Sequence, residues 1–107
     1  MPKQIIDYKN TIIYKIVCKN LDIKELYVGS TTSFSKRKLQ HKNTCKSICN
    51  TAYNQIKYIF IRDNGGWDNW DMIEIEKYPC NDSNEARARE RYWYEELSAK
   101  LNDRKPI

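Results

Sequence analysis

The chain has 107 residues, of which 40% are hydrophobic and 31% charged, with a formal net charge of +5 and a pI of about 9.0. That length suits one compact core over 1–107 and leaves no room for a second, separate recognition domain. Met1 to Asn10 holds only Ile5 and Ile6 among polar residues, and no later apolar run approaches bilayer length, so a soluble, intracellular, non-secreted protein with no membrane segment is expected.

Thr11 to Cys18 is rich in β-branched and aromatic residues, and Leu26 to Ser30 forms a second short run of that kind. The polar connection between them, with Asn20, Asp22, Lys24 and Glu25, makes the pair a β-hairpin. Thr31, Thr32 and Ser33 supply N-caps for a mostly surface helix over about 34–43. Thr51 is placed to cap a second helix in which Ala52, Ile56, Ile59 and Phe60 recur at helical spacing, which predicts the core helix. Asn64-Gly65-Gly66 ends it.

Trp70, Met72, Ile73 and Ile75 interleave with Asp71, Glu74 and Glu76 in a third strand, stopped by Pro79. Asp82 and Glu85 have capping-box spacing ahead of a long helix to about Lys100. The order is ββααβα without internal repeats, so an α+β arrangement is expected, a small three-stranded sheet flanked by helices.

Cys18, Cys45, Cys49 and Cys80 could make two disulfides, but without a secretion signal they are expected as free thiols. Cys45 and Cys49 could hold zinc, yet no second close cysteine pair completes a site. The placement of charge is more informative. Between Ser33 and Asn50 lie Lys36, Arg37, Lys38, Lys42 and Lys46 with no acidic residue, so this stretch carries the whole net excess. It suits contact with backbone phosphates, as it would suit a solvated helix face.

In the last helix, Ala86, Glu90, Trp93 and Leu97 fall on one stripe. A carboxylate in such a stripe costs free energy unless paired, protonated or metal-bound. Glu90 is therefore either an ion-pair partner of Arg37, Arg87, Arg91 or a lysine, or a ligand for a hard divalent cation, for which one carboxylate can suffice. Arg37 and His41, four apart, share a helix face and combine a permanent cation with a titratable imidazole, a pair suited to phosphate chemistry or simply exposed. Tyr14 and Tyr27 lie one in each hairpin strand, where each can pack on the sheet or present its hydroxyl to a site.

Ile12-Ile13-Tyr14 followed by Tyr27-Val28-Gly29 resembles the paired signature of the GIY-YIG nucleases, with Ile12 standing for the first glycine. Arg37 and His41 match that family's arginine and the residue one helical turn on. Arg89-Glu90-Arg91-Tyr92-Trp93-Tyr94-Glu95-Glu96-Leu97 is similar to the glutamate-bearing helix of its phage homing-endonuclease branch, and the likeness runs from Thr11 to Asn102.

The resemblance implies a DNA endonuclease that hydrolyses phosphodiesters to 5′-phosphate and 3′-hydroxyl ends with one Mg²⁺ or Mn²⁺. Glu90 takes the metal-ligand position, and Arg37 that of the phosphate clamp. Tyr14 becomes the general base, assisted by His41 as proton acceptor or relay, and Tyr27 orients Tyr14 or binds phosphate. Asn102 is the nearest match to the family's C-terminal asparagine, or else a helix cap. Lys36, Lys38, Lys42 and Lys46 are assigned to the DNA backbone. Two other readings differ in class: a noncatalytic nucleic-acid-binding module, to which Ile12 lends support, and a catalytic subunit that needs a targeting partner protein.

Overall fold

The computed structural model describes residues 7–102. Its centre is a three-stranded antiparallel sheet of order β2-β1-β3, with β1 (Ile12–Cys18) between β2 (Leu26–Thr31) and β3 (Trp70–Lys77). Because successive strand residues face opposite sides, β1 serves two cores. Tyr14, Ile16 and Cys18 pack with Cys45, Tyr58, Ile61, Trp67, Trp70 and Met72 on one face, while Ile13 packs with Val28 and Ala99 on the other. Helices α1 (Phe34–Lys46) and α2 (Ile56–Asp63) cover the first face, and α3 (Ser83–Glu96) covers the second. The expected ββααβα order and α+β class are the observed ones.

Sequence alternation fails at one place in β3. The β1–β3 register passes from Ile13 opposite Glu76 to Tyr14 opposite Glu74, so Ile75 is the extra residue of a bulge. Glu76 thereby meets α3, where Arg89 binds it through two guanidinium nitrogens and Trp93 Nε1 donates to it at 2.8 Å. The Arg89 guanidinium, the chief cause, and the Trp93 hydrogen bond hold the Glu76 carboxyl below its ordinary range against the opposing pull of burial.

The second helix begins later than its cap signal suggests. Thr51 caps nothing: Asn50 Oδ1 accepts from Ala52 N at 2.9 Å and sets a turn, Arg62 donates to the carbonyls of Cys45 and Tyr53, and α2 starts only at Ile56. Its phase also differs from the apolar stripe. Ile56 and Ile59 are exposed, whereas Lys57, Tyr58 and Ile61 are buried. Polar attachments that hydropathy does not register set this rotation, the Tyr58 hydroxyl on His41 and the Lys57 ammonium over the rings of Tyr27 and Tyr58.

The last helix starts as expected, with Asp82 Oδ1 accepting from Glu85 N at 3.0 Å. It ends at Glu96 rather than near Lys100. Ser98 adopts a left-handed φ of 51°, and Ala99 N reaches back to Tyr94 O at 3.0 Å, a Schellman ending made without glycine. The chain then turns along the outer edge of β2, where Leu101 N donates to Leu26 O at 3.1 Å and occupies backbone groups that an open edge would leave free.

Candidate active site

Strand pairing places Tyr14 opposite Gly29 and Ile16 opposite Tyr27, so both tyrosines of the motif lie on the face covered by α1. Arg37, His41 and Cys45 follow one another at steps of four along the inward side of α1. His41 is buried between two phenols: its Nε2 lies 2.8 Å from the Tyr14 hydroxyl and its Nδ1 2.7 Å from that of Tyr58. Burial, then the charges of Arg37 and Lys57, lower the imidazole to about 3, so His41 is a neutral hydrogen-bonding group at physiological pH. Burial raises Tyr14 to about 12 despite the opposing influence of Arg37, and it raises Tyr27 further still.

Gly29 makes this packing possible. A Cβ there would lie 2.5 Å from the Tyr14 hydroxyl oxygen and 2.6 Å from the ring carbon that bears it, closer than any real contact. The glycine of Tyr27-Val28-Gly29 is thus required for close approach of a side chain rather than for a turn. Gly29→Ala is expected to displace Tyr14 from His41 and to destabilise the fold by about 1–3 kcal/mol, the usual cost of overpacking. A thermal midpoint unchanged from wild type, with cleavage intact, would contradict this placement.

Glu90 comes from the opposite face. Ser30, one step beyond Gly29 and on the same side of β2 as Val28, donates its hydroxyl to Glu90 Oε1 at 2.8 Å. Burial raises the Glu90 carboxyl above its ordinary range, opposed by the Ser30 hydrogen bond and the charges of Arg37 and Arg87. Arg37 acts on both groups, since its guanidinium also favours ionisation of Tyr14. One of its terminal nitrogens donates to Gln40 Oε1 at 3.0 Å, but its Nε is buried without a hydrogen-bond partner. Such a donor costs about 1–3 kcal/mol unless something binds it.

A cleft of about 590 Å³ opens at Ser30 and Arg37, lined also by Ser33, Lys36, Gln40 and Arg87; its charged lining residues are all basic, and Glu90, Tyr14, Tyr27 and His41 lie behind that lining rather than in it. The basic run of α1 divides around it. Lys36 lines the cleft, whereas Lys38, Lys42 and Lys46 form an exposed row on the opposite flank of the helix. Lys46 lies 3.9 Å from Asp68, and both side chains are largely in solvent. Ile12 pairs with Thr31 and Lys77 and lines a smaller neighbouring groove, outside the Tyr14–His41–Tyr58 line.

Asn102 engages the backbone of the motif. Its Nδ2 donates to Val28 O at 2.8 Å and its Oδ1 accepts from Val28 N at 3.1 Å, so both amide groups are spent bracing the centre of Tyr27-Val28-Gly29. It caps no helix. Ser30, Tyr58 and Lys57 are site neighbours that the sequence reading did not single out. Only Ser30 carried a signal, because strict alternation along β2 puts it on the side that faces α3. The partners of Tyr58 and Lys57 lie in distant elements.

All four cysteines are free, as expected, and among the described residues no group of three or more His, Cys, Asp or Glu side chains gathers as a metal cage. Among those residues no helix is long and apolar enough to cross a membrane.

No curated protein sequence gives a significant match. In fold the chain is similar to the structure of the catalytic domain of homing endonuclease I-TevI, with a TM-score of 0.68 at 23% identity over 86% of this chain and 92% of that one. Residues 10–102 match the family of the GIY-YIG catalytic domain, a span that contains both tyrosine strands, the Arg37–His41 helix and the Glu90 helix. The chain therefore belongs to the GIY-YIG family, and it is an endonuclease of that kind acting on DNA.

Proposed function

We propose that this chain hydrolyses DNA phosphodiesters with one divalent cation, Mg²⁺ or Mn²⁺, leaving 5′-phosphate and 3′-hydroxyl ends. The observation that carries this reading is the meeting of Glu90, a half-buried carboxylate, with Arg37, a guanidinium that has a buried unpaired Nε, beside a cleft whose charged lining residues, Lys36, Arg37 and Arg87, are all basic. The donor set fits such a metal: a small hard cation takes one or two carboxylates and fills its remaining positions with water and substrate phosphate, so a closed protein cage is not required. Glu90 would hold the ion, which when bound supplies charge neutralisation at the phosphate and at the leaving 3′ oxygen.

This chain's own residues supply the rest. Arg37 presents unspent donors to the nonbridging oxygens and stabilises charge that develops on the phosphorus centre. Tyr14 is the base for the attacking water, and Tyr27 orients it. A phenol raised to about 12 is scarcely ionised near neutral pH, so Tyr14 needs an acceptor for its own proton. His41 Nε2 occupies that place at 2.8 Å. A Mg²⁺-dependent nicking assay on supercoiled plasmid, wild type against Glu90→Ala, tests the reading. Nicking by the wild type that is lost in the variant is the expected result, and DNA binding without nicking by either would replace it with a noncatalytic module.

Lys36 and Arg87 hold the phosphates nearest the cleft, and Lys38, Lys42 and Lys46 meet the duplex beyond it. Binding should weaken steeply with salt, with log K falling by about 0.9 per phosphate neutralised for each tenfold rise in salt. The double variant Lys36→Ala/Arg87→Ala should reduce that slope by about two such increments. A flat salt response of the wild type would contradict the backbone-contact assignment. A targeting partner protein is the second part of this proposal, and cleavage that gains sequence preference only when such a partner is added would identify one.

A further inference from the structure

Tyr58 is on α2, outside every position of the motif, yet it completes a continuous line of hydrogen bonds. Its hydroxyl lies 2.7 Å from His41 Nδ1, and His41 Nε2 lies 2.8 Å from the Tyr14 hydroxyl. Tyr14, His41 and Tyr58 are 0%, 1% and 5% exposed, so these bonds are shielded from bulk solvent. Beyond Tyr58, its phenol interacts with the half-buried Thr44 hydroxyl, whose Oγ1 accepts from Asn50 Nδ2 at 3.4 Å on the exposed turn after α1.

A phenol can donate or accept, so an imidazole between two phenols has two arrangements of equal connectivity. In one, Tyr14 donates to Nε2 while Nδ1–H donates to Tyr58. In the other, Nε2–H donates to Tyr14 while Tyr58 donates to Nδ1. The groups that face the ring are Tyr14 from β1, Tyr27 from β2, Arg37 from α1, Lys57 and Tyr58 from α2, and Trp67 stacked at 6.3 Å. The charged members, Arg37 and Lys57, are both cations, and they oppose an imidazolium.

We propose that Tyr58 makes His41 a tautomeric relay, which draws the Tyr14 proton inward and delivers one to solvent through Thr44 without forming an imidazolium. This rests on the reading of Tyr14 as the base. The Tyr14 O–H bond breaks as the Nε2–H bond forms, and the Nδ1–H bond breaks as a Tyr58 O–H bond forms. The original Tyr58 proton passes to Thr44, whose own proton goes to water. One proton leaves, Tyr14 is a phenolate, and His41 stays neutral in its other tautomer. The relay resets in reverse once Tyr14 passes the proton it takes from the attacking water to the leaving 3′ oxygen, which needs one to become the hydroxyl. Tyr58 is thus a positioning residue that acts through His41.

Tyr58→Phe removes the second phenol oxygen and keeps the ring. The expected result is a kcat about a hundredfold lower, the bottom of the range for loss of positioned proton transfer, with KM and DNA affinity unchanged. In mixtures of light and heavy water, the dependence of kcat on deuterium fraction should be bowed for wild type, as several protons move together, and linear for the variant. Wild-type kcat and a bowed curve in Tyr58→Phe would overturn the relay alone, whereas a wild type that does not cleave overturns the nuclease reading and the relay with it. Should the variant fail to fold, ¹⁵N spectra of wild-type His41 decide the matter. A neutral ring between about pH 5 and 8 is expected, and an imidazolium titrating near its ordinary value of about 6.5 would overturn the proposal.

Discussion

Glu90→Gln is expected to lower the metal-dependent cleavage rate by about 10³-fold or more while leaving DNA binding within about twofold of wild type. The magnitude follows from the role proposed for the carboxylate. A divalent ion contributes several kcal/mol of charge stabilisation at a transferring phosphate, and each 1.36 kcal/mol is about tenfold in rate. The amide is nearly isosteric and can still accept from Ser30, so the site should keep its shape. Stability should move the other way. Burial raises the Glu90 carboxyl, so the folded chain holds that proton more tightly than the unfolded one. Stability from this group is therefore fullest below the ordinary carboxylate range and is lost as pH rises through the raised value. Glutamine removes this dependence, and the thermal midpoint of Glu90→Gln at neutral pH is expected to equal or exceed that of wild type. Unimpaired cleavage by the variant would remove Glu90 from the reaction.

Arg37→Met is expected to lower kcat by about 10²–10³-fold, the range seen when one preorganised donor to a developing oxyanion is lost. Methionine keeps an unbranched side chain and removes the buried Nε that has no hydrogen-bond partner. An unsatisfied donor of this kind costs about 1–3 kcal/mol in the folded state, so the variant should again be no less stable, and inactivity cannot then be assigned to unfolding. Arg37→Lys should rescue poorly, because an ammonium lacks the planar fork that engages two phosphate oxygens at once. Single-turnover cleavage with enzyme in excess, together with thermal melts, separates the two effects. Full recovery of kcat with lysine would show that charge alone suffices.

The two substitutions share a pattern: the groups that serve the reaction are those the fold holds at a cost. An under-neutralised carboxyl and an orphaned guanidinium nitrogen are both poor for stability and suited to a ligand that has yet to arrive. The contrast with Glu76 is instructive. That carboxylate has two donors from Arg89 and a third from Trp93, leaves little for a metal, and joins β3 to α3. Residue type alone does not separate these two glutamates.

Much was legible in the residues themselves, because local patterns are short-range physics. Period-two alternation and β-branched content mark all three strands, and Asp82 with Glu85 marks the start of the last helix. A glutamate on the Ala86–Trp93–Leu97 stripe announces a carboxylate that needs a partner. Tyr14, Arg37, His41 and Glu90 stand out by such patterns and by a motif whose spacing carries information.

Only the tertiary structure decided what those patterns met. The phase of α2 follows Tyr58 and Lys57, whose partners lie on other elements, so periodicity picked out two isoleucines that are exposed. The bulge at Ile75 reassigns Glu76, the Schellman turn at Ser98 shortens α3, and Asn102 spends its amide on Val28. Spacing sets Arg37, a permanent cation, beside His41, a titratable imidazole, yet burial beside two cations makes that imidazole a neutral acceptor. The reason is common to all of these: hydropathy and spacing record which side chains avoid water, whereas hydrogen-bond partners, register and proton affinity depend on which distant atoms the fold brings within about 3 Å.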